Sequence, residues 1–115
     1  MRLSPEDRAK VRGAAEELPL TEERVVSHGF SFPFNRDGAR YVGDELRRHR
    51  FLKVWVGEET SGDEYWHVWG LRRQCLTPRV VVNTRRQMEA LARRAGGTYD
   101  GWSIKPVGFS TAIRD

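Results

Sequence analysis

Residues 92–102 read Ala92-Arg93-Arg94-Ala95-Gly96-Gly97-Thr98-Tyr99-Asp100-Gly101-Trp102, a run typical of a helix end followed by a strand. Either Gly96 or Gly97 can adopt the left-handed conformation that closes a helix, because glycine has no Cβ to clash there. The Asp100-Gly101 pair predicts a turn or β-bulge just before a large ring. We therefore predict a helix-to-strand junction whose kink aims Trp102 and Ile104 into the core.

The segments before this junction show the periodicities of further strands and helices. In a strand predicted at 24–34, alternate side chains form one strongly apolar face: Val26, His28, Phe30, Phe32 and Phe34. Helices are predicted at 36–48 and from Pro78 onward. The inner stripe of the second helix consists of Val81, Thr84, Met88, Leu91 and Ala95. The other predicted strands are 51–57, 64–75 and 98–107, with a polar hairpin loop at 58–63.

This order of elements predicts an α+β fold of the ferredoxin-like type, βαββαβ. Right-handed crossovers place two helices on one face of a four-stranded antiparallel sheet. An extra N-terminal helix is predicted from Pro5, capped by Ser4, to Leu18, and its thin apolar stripe predicts weak docking outside the core. We expect an N-terminal helix and joint at residues 1–20, the ferredoxin-like domain at 21–108 and a C-terminal tail at 109–115.

The composition is typical of a soluble cytoplasmic protein. The 115 residues suffice for one domain with a modest core. The longest apolar runs, such as residues 80–82, are too short to span a bilayer, and the N-terminus lacks the apolar segment of a signal peptide. The single cysteine, Cys75, excludes an intramolecular disulfide and fits a reducing compartment. The net charge of +4 permits binding to acidic partners without establishing nucleic-acid binding.

The residues that carry chemistry in enzymes lack the spacing that catalysis requires. The three histidines and Cys75 form no paired metal-ligand motif, and the serines lie in no nucleophile elbow. No glycine-rich phosphate loop is present. His28 and His67 lie on neighbouring predicted strands and could share a metal with a carboxylate, but a hydrogen-bonded strand histidine is the favoured interpretation. We predict no catalytic centre and no cofactor, with a small hydrolase or metal-binding protein as the weakest alternative.

Three segments of the chain resemble the bacterial regulator of ribonuclease E activity B family. The first strand, Val26-Ser27-His28-Gly29-Phe30-Ser31-Phe32-Pro33, resembles the family's first strand, and residues 37–46 occupy the place of its first helix. Residues 91–102 resemble its closing helix and strand, with the motif Tyr99-Asp100-Gly101-Trp102. The resemblance spans about residues 24–107. It implies a ferredoxin-like fold and a non-catalytic regulator of RNA turnover, whose partner is a protein such as a ribonuclease E-type enzyme.

Two surfaces are candidates for partner binding. On the second long helix, Arg79, Arg86 and Arg93 recur every seven residues and so lie close to one stripe, which we expect to remain in solvent. Trp55 and Trp66 belong to two aromatic-rich strands, in which alternation sends Tyr65, His67 and Trp69 to one face and Trp66 and Val68 to the other. The basic surface departs from that of the best-known members of the resembled family, which are markedly acidic.

Direct RNA binding is the alternative function. Arginines on a helix can contact phosphates, and aromatic rings exposed on a sheet can stack on bases. The aromatic motif of RNA-recognition domains is absent from residues 64–69. The same rings could instead be covered by the N-terminal helix or by a second copy of the chain. The sequence leaves these alternatives and the oligomeric state open.

Overall fold

A computed structural model describes residues 2–58 and 64–105 of the chain. Within these residues the elements are α1 (Pro5–Ala15), β1 (Arg24–Pro33), α2 (Arg36–Arg48), β2 (Lys53–Glu58), β3 (Tyr65–Gln74), α3 (Pro78–Arg94) and β4 (Thr98–Ile104). The strands form one antiparallel sheet in the order β2-β3-β1-β4. This arrangement confirms the predicted α+β fold with an N-terminal helix. The hairpin loop at 59–63 and the tail at 109–115 lie outside the described residues.

The core lies between the sheet and the two helices α2 and α3. Alternation along β1 places Phe30 and Phe32 on the face that these helices cover, where both rings are fully buried. The helices contribute residues of the apolar stripes expected from the sequence: Ala39, Val42 and Leu46 from α2, and Met88 and Leu91 from α3. Ala92, which was not part of the predicted stripe, is also buried there. Phe34 departs from the prediction that it shares this face. The strand ends at Pro33, and Phe34 adopts a positive φ of 53° and is 75% exposed.

The junction after α3 has the predicted glycine stop. Gly96 adopts a φ of 79°, which favours glycine because a Cβ would be strained there. The Gly97 amide donates to the carbonyl oxygen of Ala92 at 2.8 Å, and the Gly96 amide donates to that of Arg93 at 3.2 Å. These two bonds satisfy carbonyl groups that a helix end leaves unpaired, in the Schellman arrangement.

Asn35 joins the start of α2 to this same junction. Its side-chain oxygen accepts a hydrogen bond from the Gly38 amide at 2.9 Å, as an N-cap residue does. Its side-chain nitrogen donates to the carbonyl oxygen of Ala95 at 2.8 Å. Asparagine is a common N-cap residue, whereas the second bond depends on how the two helices pack and has no local sequence signal. One side chain therefore fixes the relative position of two helix ends.

The N-terminal helix is joined to the core more firmly than its sequence predicts. It ends at Ala15 rather than Leu18, and it buries Val11 and Ala14 in a second apolar cluster with Val26, Leu76, Val81 and Trp102. The expectation of weak docking is wrong because it counted only the apolar stripe. The most buried residue of α1 is charged: Asp7 is only 1% exposed.

Candidate functional site

The Tyr99-Asp100-Gly101-Trp102 segment forms a β-bulge in β4. Phe30 of β1 pairs with Tyr99 and its neighbour Gly29 pairs with Gly101, so Asp100 is an extra residue. Side chains alternate along a regular strand, so Tyr99 and Trp102, three positions apart, would lie on opposite faces of the sheet. The extra residue at the bulge places both rings on the same face. Both rings accordingly face the helices and are buried. Gly101 has a φ of 111°, and the predicted kink before a buried Trp102 is confirmed.

His28 lies beside this bulge, opposite Trp102 on β1, and is 1% exposed. Its Nε2 is 2.8 Å from Oε1 of Gln74, and its Nδ1 is 2.7 Å from the hydroxyl oxygen of Tyr99. An amide oxygen only accepts, so Nε2 carries the proton and the Tyr99 hydroxyl donates to Nδ1. Burial, opposed by the Gln74 bond, lowers the pKa of His28 to about 4, and the ring is neutral at neutral pH.

The polar contacts continue from His28 to α3. Gln74 Oε1 also accepts a hydrogen bond from Nη2 of Arg72 at 3.2 Å, and the same nitrogen lies 3.2 Å from Oγ1 of Thr84. Burial lowers the pKa of Arg72 and raises that of Tyr99, so the phenol remains protonated at neutral pH. This network links strands β1, β3 and β4 to α3. Both ring nitrogens of His28 are engaged within it, which makes the histidine a structural member of the core rather than a free base.

A second polar junction ties α1 to α3 and β4. The Asp7 carboxylate accepts hydrogen bonds from Nε and Nη2 of Arg85, at 2.6 and 2.8 Å, and from Nε1 of Trp102 at 2.8 Å. Burial alone would raise the pKa of Asp7, but the bonds from Arg85 and Trp102 hold it below its usual value. The Lys10 ammonium donates to the Trp102 carbonyl oxygen at 2.6 Å. No local feature of the chain indicates this junction, because an acid in the first helical turn ordinarily stays in solvent near the helix N-terminus.

The structure excludes the histidine pair that the sequence left open as a metal site. His28 faces the helices, whereas His67 pairs with Ser31 and lies on the opposite face of the sheet. The two rings therefore cannot share a metal. Among residues 2–58 and 64–105, no group of three or more His, Cys, Asp or Glu side chains is placed to hold a metal ion.

The three arginines predicted to form a stripe on α3 are all exposed. No carboxylate of the described residues lies within ion-pair distance of Arg79, Arg86 or Arg93. Arg85, the flanking residue, behaves differently, because its guanidinium is held by Asp7 and contacts Glu89 at 3.5 Å. The helix thus divides its arginines between one internal ion pair and a charged outer stripe.

The two candidate tryptophans lie on opposite faces of the sheet. Trp55 pairs with Trp69 across β2 and β3, and these rings are 42% and 44% exposed. Trp66 lies on the helix-covered face, where it packs against the main core beneath the Arg36 guanidinium, 5.5 Å from the ring centre. The structure therefore does not bring Trp55 and Trp66 together. The face that carries Trp55 also holds a row of neighbouring rings, of which the last two are stacked: Tyr65, His67 and Trp69.

Fold and side-chain geometry define a class of protein: a small α+β domain with a hydrogen-bonded polar interior and charged and aromatic outer surfaces. The chain matches the family described as regulator of ribonuclease activity B over residues 6–104, and it belongs to that family. It is accordingly a non-enzymatic regulator that binds ribonuclease E and acts on RNA turnover. A search of the curated proteins gave no match. None of the described helices is long and apolar enough to cross a membrane.

The family match begins at Glu6 and therefore includes α1. The resemblance found from the sequence covered about residues 24–107 and left this helix outside. Its inclusion agrees with the packing, since Asp7 connects α1 to Arg85 and Trp102. The last residue of the family motif, Trp102, is thus in direct contact with the first helix.

Proposed function

We propose that this chain binds its ribonuclease in the cytoplasm through the arginine stripe of α3, formed by Arg79, Arg86 and Arg93. The observation that carries the proposal is that these three exposed cations have no carboxylate partner among the described residues. Three like charges along one helix form a positive stripe, and an acidic segment of a partner is its electrostatic complement. The occupant of the stripe is therefore an acidic segment of the ribonuclease.

The stripe is suited to binding because it has no role in folding. Solvent-exposed charges typically contribute well under about 1 kcal/mol each to stability. The apolar side of α3, by contrast, is buried in the core through Met88 and Leu91. Binding and folding are thus divided between two sides of one helix, and the binding side can be altered without unfolding the protein.

Trp55 is the second candidate contact, and it belongs to a different surface. Its exposed ring lies beside the Lys53 ammonium, 5.3 Å from the ring centre. An exposed tryptophan can anchor a partner by burying its ring. Trp66 has a different role, because its ring already packs on the core and contacts the Arg36 guanidinium on its other side.

Direct RNA binding remains the second candidate function. It is favoured by the net charge of +4 together with the exposed Trp55 and Trp69 rings, which offer stacking surfaces. A protein that binds RNA through phosphate contacts loses affinity steeply as salt increases. The two functions are therefore distinguished by whether capture of the ribonuclease survives nuclease treatment.

The test replaces Arg79, Arg86 and Arg93 with glutamine and measures binding to purified ribonuclease E by surface plasmon resonance, with and without nuclease. We expect an unchanged melting temperature and an affinity reduced about tenfold or more, as for loss of several complementary interface charges. A control variant, Arg8→Gln with Arg12→Gln and Arg40→Gln, removes the same charge from exposed residues elsewhere. Equal binding by the two variants would exclude the α3 stripe as the surface that binds the ribonuclease. Capture of the ribonuclease that disappears with nuclease would favour direct RNA binding.

A further inference from the structure

A pocket of about 400 Å³ lies between the N-terminal end of α1 and the side of α3. One wall comes from Arg2 and Leu3, which precede α1, and the opposite wall comes from Val82, Arg86 and Glu89 of α3. Arg86 is also the middle member of the arginine stripe. The pocket therefore adjoins the surface that is proposed to bind the ribonuclease.

The pocket interrupts the arginine stripe at its middle. Val82 lies three positions after Arg79 and four before Arg86, and residues at these spacings share one side of a helix. Glu89 stands in the same relation to Arg86 and Arg93. A partner segment that follows the stripe along α3 therefore passes over the pocket.

The charges of the lining leave two cations without a counter-charge. Both carboxylates contact the same guanidinium, since Asp7 lies 2.6 Å and Glu89 lies 3.5 Å from nitrogen atoms of Arg85. No described carboxylate lies within ion-pair distance of Arg2 or Arg86. Three arginines against two carboxylates give the lining a net positive charge, which an acidic side chain of a partner complements.

The pocket also presents apolar surface. Val82 is 9% exposed, and Leu3 is half-buried against the apolar cluster that holds α1 on the domain. A partner side chain that covers this surface removes apolar area from water, which favours binding. A segment that carried only charged residues would leave the apolar surface uncovered.

We propose, on the basis of the function proposed for the arginine stripe, that the acidic segment of the partner places one apolar side chain of the size of leucine in this pocket. The apolar side chain contacts Leu3 and Val82, and acidic residues on either side of it pair with Arg2 and Arg86. The stripe by itself selects for negative charge. The pocket adds selection for an apolar anchor at one position of the segment.

The test compares two blocked peptides in NMR titrations of the full chain. Both have the sequence Glu-Asp-Glu-X-Glu-Asp-Glu, in which X is leucine in one peptide and serine in the other. We expect the leucine peptide to shift the methyl resonances of Leu3 and Val82 saturably and to bind about tenfold more tightly, the scale of burying part of a leucine side chain. Equal affinities, or binding that leaves both methyl resonances unshifted, would overturn the proposal.

Val82→Thr alters the pocket without altering any charge. Threonine has nearly the shape of valine but brings a hydroxyl group, so the leucine peptide should lose most of its advantage over the serine peptide. Val80→Thr is the matched control, because Val80 is half-buried on the same helix and does not line the pocket. A preference for leucine that is equal in the two variants would place the leucine side chain outside this pocket.

Arg2→Gln tests the charge at the edge of the pocket with a substitution of an exposed residue. Affinity for the leucine peptide should fall about threefold, the scale of one exposed charge. Arg8→Gln removes the same charge from an exposed residue of α1 that does not line the pocket. Equal affinities of these two variants would refute the pairing of Arg2 with an acidic residue of the segment.

The stripe and the pocket can be refuted separately. A variant that combines Arg79→Gln with Arg93→Gln alters the stripe outside the pocket, since neither residue belongs to the lining. Unchanged binding of this variant to purified ribonuclease E would refute the proposed function. Reduced binding of this variant, together with equal affinities of the wild-type chain for the two peptides, would refute the pocket alone.

Discussion

The replacement of Asp7 by alanine tests whether one buried charge holds the N-terminal helix on the domain. The substitution removes a carboxylate that accepts two hydrogen bonds from Arg85 and one from Trp102. It leaves Ser4 as the N-cap residue and the apolar contacts of Val11 in place. The change therefore isolates the polar junction from the packing of the same helix.

The expected loss of stability follows from the burial of each partner. Breaking a buried ion pair costs about 3–5 kcal/mol when the remaining charge stays buried. The Arg85 side chain is 22% exposed and can be partly rehydrated, which reduces that cost. The buried Nε1 of Trp102 is left unpaired, which costs about 1–3 kcal/mol. The two effects overlap, so we expect a loss of about 3 kcal/mol, and a melting temperature lower by about 10–15 °C for a domain of this size.

Urea unfolding followed by tryptophan fluorescence measures this loss. Glu6→Ala is the control, because its carboxylate pairs with Lys10 at 3.2 Å but its side chain is 65% exposed. An exposed pair of this kind contributes less than about 1 kcal/mol. A double-mutant cycle with Arg85→Ala then measures the coupling of Asp7 and Arg85 directly. If Asp7→Ala were no more destabilising than Glu6→Ala, α1 would be held by its apolar side chains alone and the reasoning would fail.

Three further perturbations follow from the geometry. The His28 pKa is about 4 in the folded protein and 6.5 ordinarily, so the unfolded chain takes up the proton first. The free energy of unfolding, measured by urea titration, should therefore fall by up to about 3 kcal/mol as the pH decreases from 6.5 to 4. The His28→Gln variant should lose less stability over the same pH range. Gly101→Ala places a side chain at a φ of 111° and should cost about 1–3 kcal/mol in urea unfolding, whereas Gly57→Ala, with open space around its Cβ, should be almost neutral. Trp66→Ala should lower the melting temperature more than Trp55→Ala, because only Trp66 packs on the core.

Much of the fold could be predicted because the responsible signals are local. Alternation along 24–34 predicts β1, and the inner stripes of α2 and α3 follow from helical periodicity. The glycine stop at Gly96 and the kink at Gly101 are backbone requirements of single residues, and both positions adopt positive φ angles. The order of these elements then limits the topology to the split βαβ arrangement, which the sheet order confirms.

The errors of prediction arise where a residue has a distant partner. Asp7 and Arg85 are separated by 78 positions, and nothing in either local sequence indicates that they meet. The weak docking predicted for α1 was wrong for this reason. The error at Phe34 has a local cause: the alternation of β1 predicts that it shares the apolar face, but the strand ends one residue earlier and the ring is exposed.

The sequence by itself determined the elements, their order, the buried faces and the absence of a recognisable catalytic motif, because periodicity, glycine and capping act over a few residues. Its resemblance to a family of ribonuclease regulators depended on three short segments and is confirmed by the match over residues 6–104. Tertiary structure alone decided which polar groups are buried together: His28 with Gln74 and Tyr99, and Asp7 with Arg85 and Trp102. It also separated Trp55 from Trp66, and it buried Nε and Nη1 of Arg24 without a hydrogen-bond partner among the described residues. These outcomes depend on which segments, distant in sequence, come together in the fold. Burying a polar group without a hydrogen-bond partner costs free energy, so buried polar groups lie where a partner is available.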